Sequence, residues 1–251
     1  MRAVSRASRE LRIAGYRAGW VRLPLRRPYV VAYEAIESFD LFITRVEFED
    51  GTKAFWEACP LPGYTPDTAD SLWTGLREIV PSLIGKDRTE VSALLAERAE
   101  DEPFLVAALV SPLEWHEAVE GLPSEFELPL IGTILGTTPE GMHLDTRELL
   151  LAGYRTLKMK VGKALQTDLD NVRAVQEAVR AFGDAGVNIR IDANQAYSFE
   201  EAQAFLERVD PANIQLFEQP LGDGEWEQLA RLDARVPIML DEWIVDEESI
   251  R

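Results

Sequence analysis

Apolar and polar residues alternate over 11–24, 39–49 and 53–58, the two-residue period of half-buried strands. The turn Glu49-Asp50-Gly51 joins the last two runs and predicts a hairpin. Between the first two runs lies RRPYVVAYEAIES, which has no clear period and reads as a loop. PLPGYTPDT, after the hairpin, is a second strong break. The period then lengthens to that of amphipathic helices over 68–80, 87–99 and 103–119. Together these elements predict an α+β unit over 1–125.

From Leu128 onward strands and helices alternate strictly. Strands are predicted at 128–134, 154–160, 187–192, 213–217 and 236–240, with helices at 144–152, 165–182, 199–208 and 225–233. Five β/α units over 126–251 predict a parallel α/β sheet, either doubly wound or part of a barrel. No short repeat and no low-complexity segment interrupts them.

The strand GYRTLKMKVG has a lysine at every second position, so Lys158 and Lys160 share a face. Two ammonium groups on one side of a buried strand are costly unless something compensates them. Three later strands supply a candidate, for they end in acids: Asp192 after VNIRI, Glu218 after IQLF and Asp241 after PIML. The acids are 26 and 23 residues apart, about one β/α unit each, which puts three carboxylates on one rim of the sheet. Such a set repels itself unless a hard cation sits among it, and Mg²⁺ takes oxygen ligands in this way. A lysine crowded by a second lysine and a divalent cation is pushed toward its neutral form, in which it can act as a general base. The plainer alternatives are a solvated strand end for the lysines and helix N-caps for single acids. Glu242 either supports the acids or substrate, or caps a helix.

The net charge of −18 argues against nucleic acid and anionic membrane surfaces as partners and leaves a small-molecule substrate open. No apolar run is long enough for a transmembrane helix. The lone Cys59 excludes an intrachain disulfide and suits a reducing compartment, with the cytoplasm as the default location. His116 and His143 read as structural, while Tyr29, Tyr33 and Tyr64 lie in the two breaks and are either pocket-lining or ordinary loop tyrosines.

KMKVG, DANQAY, FEQP and LDE, in this order, resemble the lysine and metal motifs of the enolase superfamily, in particular its muconate-lactonizing subgroup. Reactions in that subgroup include muconate cycloisomerisation, o-succinylbenzoate synthesis, N-succinylamino acid racemisation and dipeptide epimerisation. The resemblance is dense over about 150–245 and looser toward the amino terminus. It implies a capping domain followed by a (β/α) TIM-type barrel, with the two breaks as specificity loops. It also implies Asp192, Glu218 and Asp241 as Mg²⁺ ligands, Lys160 as the base and Lys158 beside it contacting a carboxylate. Asn194 would be a polar neighbour of the ligands, or a plain turn residue. The expected chemistry is abstraction of a proton alpha to a carboxylate through an enediolate that Mg²⁺ stabilises.

A further lysine, expected one strand beyond Asp241 to face the opposite side of the substrate, is not among the 251 residues. Five strands of an eight-stranded barrel lead to the expectation of a truncated barrel. The natural protein would then be longer by roughly 70 to 120 residues, with 1–251 alone poorly soluble and inactive. Two rival readings are a Schiff-base lysine aldolase and a non-catalytic binding or scaffold protein on a truncated barrel. Homo-oligomer formation is left open.

Overall fold

The computed structural model describes residues 11–30, 35–61, 66–119, 123, 125, 127–183, 186–244 and 249. Tyr33 and Tyr64, with the centres of both predicted specificity loops, lie outside the described residues. The chain divides into two compact units, Met1–Pro28 with Ile36–Phe126 and Tyr29–Ala35 with Glu127–Arg251.

In the first unit, β1 (Ile13–Val30), β2 (Ala35–Phe48) and β3 (Lys53–Ala58) form a sheet in that order. β2 and β3 are antiparallel around the predicted turn, where Gly51 takes φ 84°. The helices are α1 (Ala69–Leu83), α2 (Arg88–Leu95) and α3 (Pro103–Val119). Thr68 with Ser71, and Asp87 with Glu90, close capping boxes at the starts of α1 and α2. Phe42, Val46, Leu72, Leu76, Leu105 and Leu109 are buried in the core between sheet and helices.

The loop expected over RRPYVVAYEAIES is corrected in part. β1 runs through Arg26, Arg27 and Pro28 to Val30, and β2 starts at Ala35. Most of the outer half of β1 is exposed, so backbone pairing rather than burial holds it, and no apolar period marks it. Because β1 is the edge of the sheet among the described residues, a proline is tolerated there.

α3 passes through Pro112 without ending. Proline has no N–H, so the carbonyl of Ala108, four residues earlier, loses its helical donor. Two hydroxyls replace it: Tyr16 donates to the Ala108 oxygen at 2.7 Å and Thr44 at 3.2 Å. Burial pushes the Tyr16 phenol far above its ordinary range, which keeps it a donor at any ordinary pH.

In the second unit, β4 (Ile131–Thr133), β5 (Thr156–Lys160), β6 (Asn188–Asp192), β7 (Ile214–Glu218) and β8 (Ile238–Met239) form a parallel sheet in chain order. Helices α4 (Pro139–Leu151), α5 (Leu165–Phe182), α6 (Phe199–Arg208) and α7 (Trp226–Arg231) connect them. Strict chain order is the winding of a (β/α) barrel; a doubly wound sheet reverses direction partway. The fold is thus an α+β capping unit followed, among the described residues, by five strands and four connecting helices of a TIM-type barrel. α4 begins five residues earlier than predicted, since Thr138 caps it onto the Gly141 N–H and Pro139 opens its first turn. β4 and β8 are shorter than predicted; each has only one neighbouring strand among the described residues. Among the described residues no helix is long and apolar enough to cross a membrane.

The Ala108 carbonyl generates a test. Tyr16→Phe with Thr44→Val should cost about 2–3 kcal/mol in denaturant unfolding, because a buried acceptor is orphaned. In a Pro112→Ala background, which returns an N–H to that carbonyl, the same pair should cost less than about 1 kcal/mol. Equal costs in both backgrounds would show that the carbonyl is not what the hydroxyls serve.

Candidate active site

On β5, Leu157 and Met159 are fully buried on one face, and Lys158 and Lys160 lie on the other. The apolar pair belongs to a core shared with Val172, Val175, Ile189, Ile191 and Phe217. This packing leaves the lysines no choice of side.

The acids reach them by register. Lys160 pairs with Asp192 on β6, and Asp192 pairs with Glu218 on β7. The second pairing depends on an irregularity, for Ile189 opposes Ile214 whereas Arg190 opposes Leu216. Gln215 is the extra residue, held by a 2.7 Å hydrogen bond from Arg190 Nε to its Oε1. Had the register continued unshifted from Ile189, Phe217 would lie opposite Asp192. The bulge lets Ile214 and Phe217, three apart, both be buried, and sets Glu218 level with Asp192.

Lys158 Nζ bridges the two acids, 2.9 Å from Asp192 Oδ2 and 2.8 Å from Glu218 Oε2. Lys160 Nζ donates to the same Asp192 Oδ2 and to Asn194 Oδ1, each at 2.5 Å. Asp192 Oδ1 accepts the Asn194 backbone N–H at 2.9 Å, so both oxygens of this fully buried carboxylate are engaged. Burial favours its protonation, but Lys160 and Lys158 together outweigh that and hold Asp192 below the usual carboxylate range. Burial, followed by the Asp192 and Asp241 charges, pushes Glu218 upward against the pull of Lys158. At Lys158 burial favours the neutral form, yet the hydrogen bonds and charges of Glu218 and Asp192 prevail and raise it.

Lys158, Lys160, Asp192 and Glu218 are therefore brought together. Asp241 is exposed just past β8, where its charge acts on Glu218 and its backbone N–H donates to Gln219 Oε1 at 2.9 Å. Among the described residues no three acidic, histidine or cysteine side chains are arranged to hold a metal ion. The donor types do suit a hard cation, since Asp192, Glu218 and Asp241 offer only carboxylate oxygens. Glu242 is turned toward the cluster, where its Oε1 accepts from Asn194 Nδ2 at 2.9 Å. His116 stacks on Phe48 in the other unit, in line with a structural role.

Apart from Asn194, several residues that build the site carry no signal in the sequence. Asn194, Gln195 and Gln219 take positive φ of 42°, 65° and 36°, a cluster of left-handed residues just past the ends of β6 and β7. Gln219 is fully buried, and its backbone carries pairing beyond the strands, accepting from Gln195 N and donating to Met239 O. Asp168, in the first turn of α5, accepts from the backbone of Gly162 and Lys163 and from the Tyr197 hydroxyl at 2.8 Å. It resembles any acid near a helix start, so only three-dimensional contacts reveal it. Gly162, at φ 100°, closes this loop so tightly that an added Cβ would stand 2.4 Å from the Ala196 Cβ.

Residues 142–251 match the family described as enolase C-terminal domain-like. Among curated proteins, the L-Ala-D/L-Glu epimerase of Bacillus subtilis is 27% identical over 241 residues, 88% of this chain and 64% of the epimerase. The N-succinyl-L-Arg/Lys racemase of Bacillus cereus is 25% identical, over 92% of this chain and 66% of the racemase. The chain thus spans just under two thirds of the length of these relatives. The crystal structure of a dipeptide epimerase from Methylococcus capsulatus, complexed with Mg and the dipeptide L-Arg-D-Lys, superimposes with TM-score 0.81 and 26% identity, covering 95% of this chain and 70% of that one. The muconate lactonizing enzyme of Pseudomonas fluorescens gives TM-score 0.78 and 25% identity, covering 96% and 69%.

The Gly162 contact yields a prediction about the loop that positions Lys160. Gly162→Ala should destabilise the chain by about 2–4 kcal/mol, from the left-handed backbone and the clash together. Ala196→Gly removes the 2.4 Å clash, so that about 1–2 kcal/mol should remain from backbone strain and the 3.2 Å approach to the Ala193 oxygen, read by denaturant unfolding. An unchanged penalty would remove Ala196 from the account.

Proposed function

We propose that this chain, which belongs to the enolase superfamily and its mandelate racemase/muconate-lactonizing subgroup, is the proton-abstracting part of a magnesium-dependent enzyme acting alpha to a carboxylate. The observation that carries this reading is the pair of lysine ammonium groups, two residues apart on β5, set on the level carboxylates of Asp192 and Glu218. Asp192, Glu218 and Asp241 would hold Mg²⁺. When bound, the metal supplies positive charge to the substrate carboxylate, where negative charge builds as the proton leaves. In its neutral form Lys160 receives the proton at Nζ, and the ammonium that results donates to Asp192 Oδ2 and Asn194 Oδ1, both already at 2.5 Å. Lys158 balances the Asp192 and Glu218 charges.

The names of the relatives support a narrower substrate class. L-Ala-D/L-Glu epimerase, N-succinyl-L-Arg/Lys racemase and L-Lys-D/L-Arg epimerase all describe inversion at the α-carbon of an amino-acid derivative. A dipeptide or N-acylated amino acid with a free carboxylate is therefore the substrate proposed, and epimerisation or racemisation the reaction.

Two measurements test this. Calorimetry should show Mg²⁺ binding that Asp192→Asn, Glu218→Gln and Asp241→Asn each weaken by more than about tenfold. Incubation in heavy water with a panel of dipeptides and N-succinyl amino acids should show deuterium at the α-carbon, reduced about a hundredfold or more by Lys160→Ala. Exchange at the parent rate in that variant would place the base elsewhere, and unaltered Mg²⁺ affinity in all three acid variants would overturn the metal assignment.

A further inference from the structure

An amide side chain presents an acceptor on one side and donors on the other, and only its partners decide which way it faces. Asn194 occupies such a position. Its Oδ1 accepts from the Lys160 ammonium, and its Nδ2 donates to Glu242 Oε1 at 2.9 Å. Its backbone is held as well, by the left-handed φ of 42° and the 2.9 Å bond from its N–H to Asp192 Oδ1. The backbone fixes where the amide stands but not its orientation. A flipped amide would aim two N–H bonds at an ammonium, which offers only donors. Glu242, an acceptor when ionised, excludes that flip from the opposite side.

We infer that Glu242 is a positioning residue for Lys160, acting through Asn194: it fixes the amide so that its oxygen receives the lysine. The inference rests on the proposed role of Lys160 as the base, while the contact itself stands independently of any substrate. It links the segment after β8 to the lysine of β5 across the loop that follows β6. Glu242 Oε2 is buried and has no hydrogen-bond partner among the described residues, so Asn194 is the group on which this carboxylate acts. Lys158 has no part in the relay; its partners are Glu218 and Asp192. It therefore provides an internal control two residues away.

The test is hydrogen exchange of the lysine ammonium groups by heteronuclear NMR, on the full chain at one pH with a chelator and no substrate. Only five lysines are present, Lys53, Lys86, Lys158, Lys160 and Lys163, which makes assignment tractable. Glu242→Ala removes the acceptor that holds Asn194 Nδ2, so the amide is held less firmly against Lys160 and the exchange of that lysine should rise about fivefold, the worth of one hydrogen bond, with Lys158 unchanged. Adding Asn194→Asp presents an oxygen to Lys160 whichever way the side chain turns, at the same total charge. That double variant should return Lys160 to within about twofold of the parent. Unchanged Lys160 exchange in Glu242→Ala, a parallel rise at Lys158, or no recovery in the double variant would each overturn the inference. None of these readouts depends on Mg²⁺ or turnover, so a failure of the proposed function and a failure of this role remain separate results.

Discussion

Two carboxylates removed from water side by side are the constraint on which the barrel unit is built. Asp192 and Glu218 are almost wholly buried on neighbouring strands, and their mutual repulsion adds to the cost of losing hydration. The chain meets this with positive charge delivered at close range by a single strand. Because alternate residues share a face, two lysines separated by one methionine supply both charges while the methionine stays in the core. The same arrangement leaves cationic amine groups beside acidic oxygens at one end of the sheet, which is the raw material of proton transfer.

Placing those charges needs more than a regular sheet. The shift at Gln215 reconciles two demands on β7, apolar burial for Ile214 and Phe217 and a site-facing position for Glu218. Beyond the strand ends, the left-handed residues Asn194, Gln195 and Gln219 continue the backbone pairing into the loops. The connection after β5 is clamped by Asp168 onto the backbone of Gly162 and Lys163. Rigid loops at the ends of well-buried strands give a site whose side chains have few alternatives.

Much of this could be read from the sequence because it follows from period and spacing. The barrel helices at 165–182 and 199–208 have the predicted bounds, since their burial has a single period, with the left-handed Gly183 ending the first and the Ser198–Glu201 capping box starting the second. Lys158, Lys160, Asp192 and Glu218 could be picked out because charges at the ends of apolar strands break the pattern. What escaped were features without a local signature. The outer half of β1 is held by pairing to β2 instead of by burial, and Arg26-Arg27-Pro28 resembles a turn. The Gln215 bulge is invisible until a neighbouring strand is laid beside it. Asp168 and Gln219 act through contacts distant in sequence, so their residue types alone say little.

That same Arg26-Arg27-Pro28 stretch bears on self-association. An 18-residue strand at the rim of a three-stranded sheet is a template on which another chain can add a strand. The proline withholds one donor from any such ladder, and an antiparallel copy paired through this stretch would set arginines against arginines. The feature that made the segment look like a loop therefore also guards the edge: it allows one strand partner, β2, and discourages an identical second.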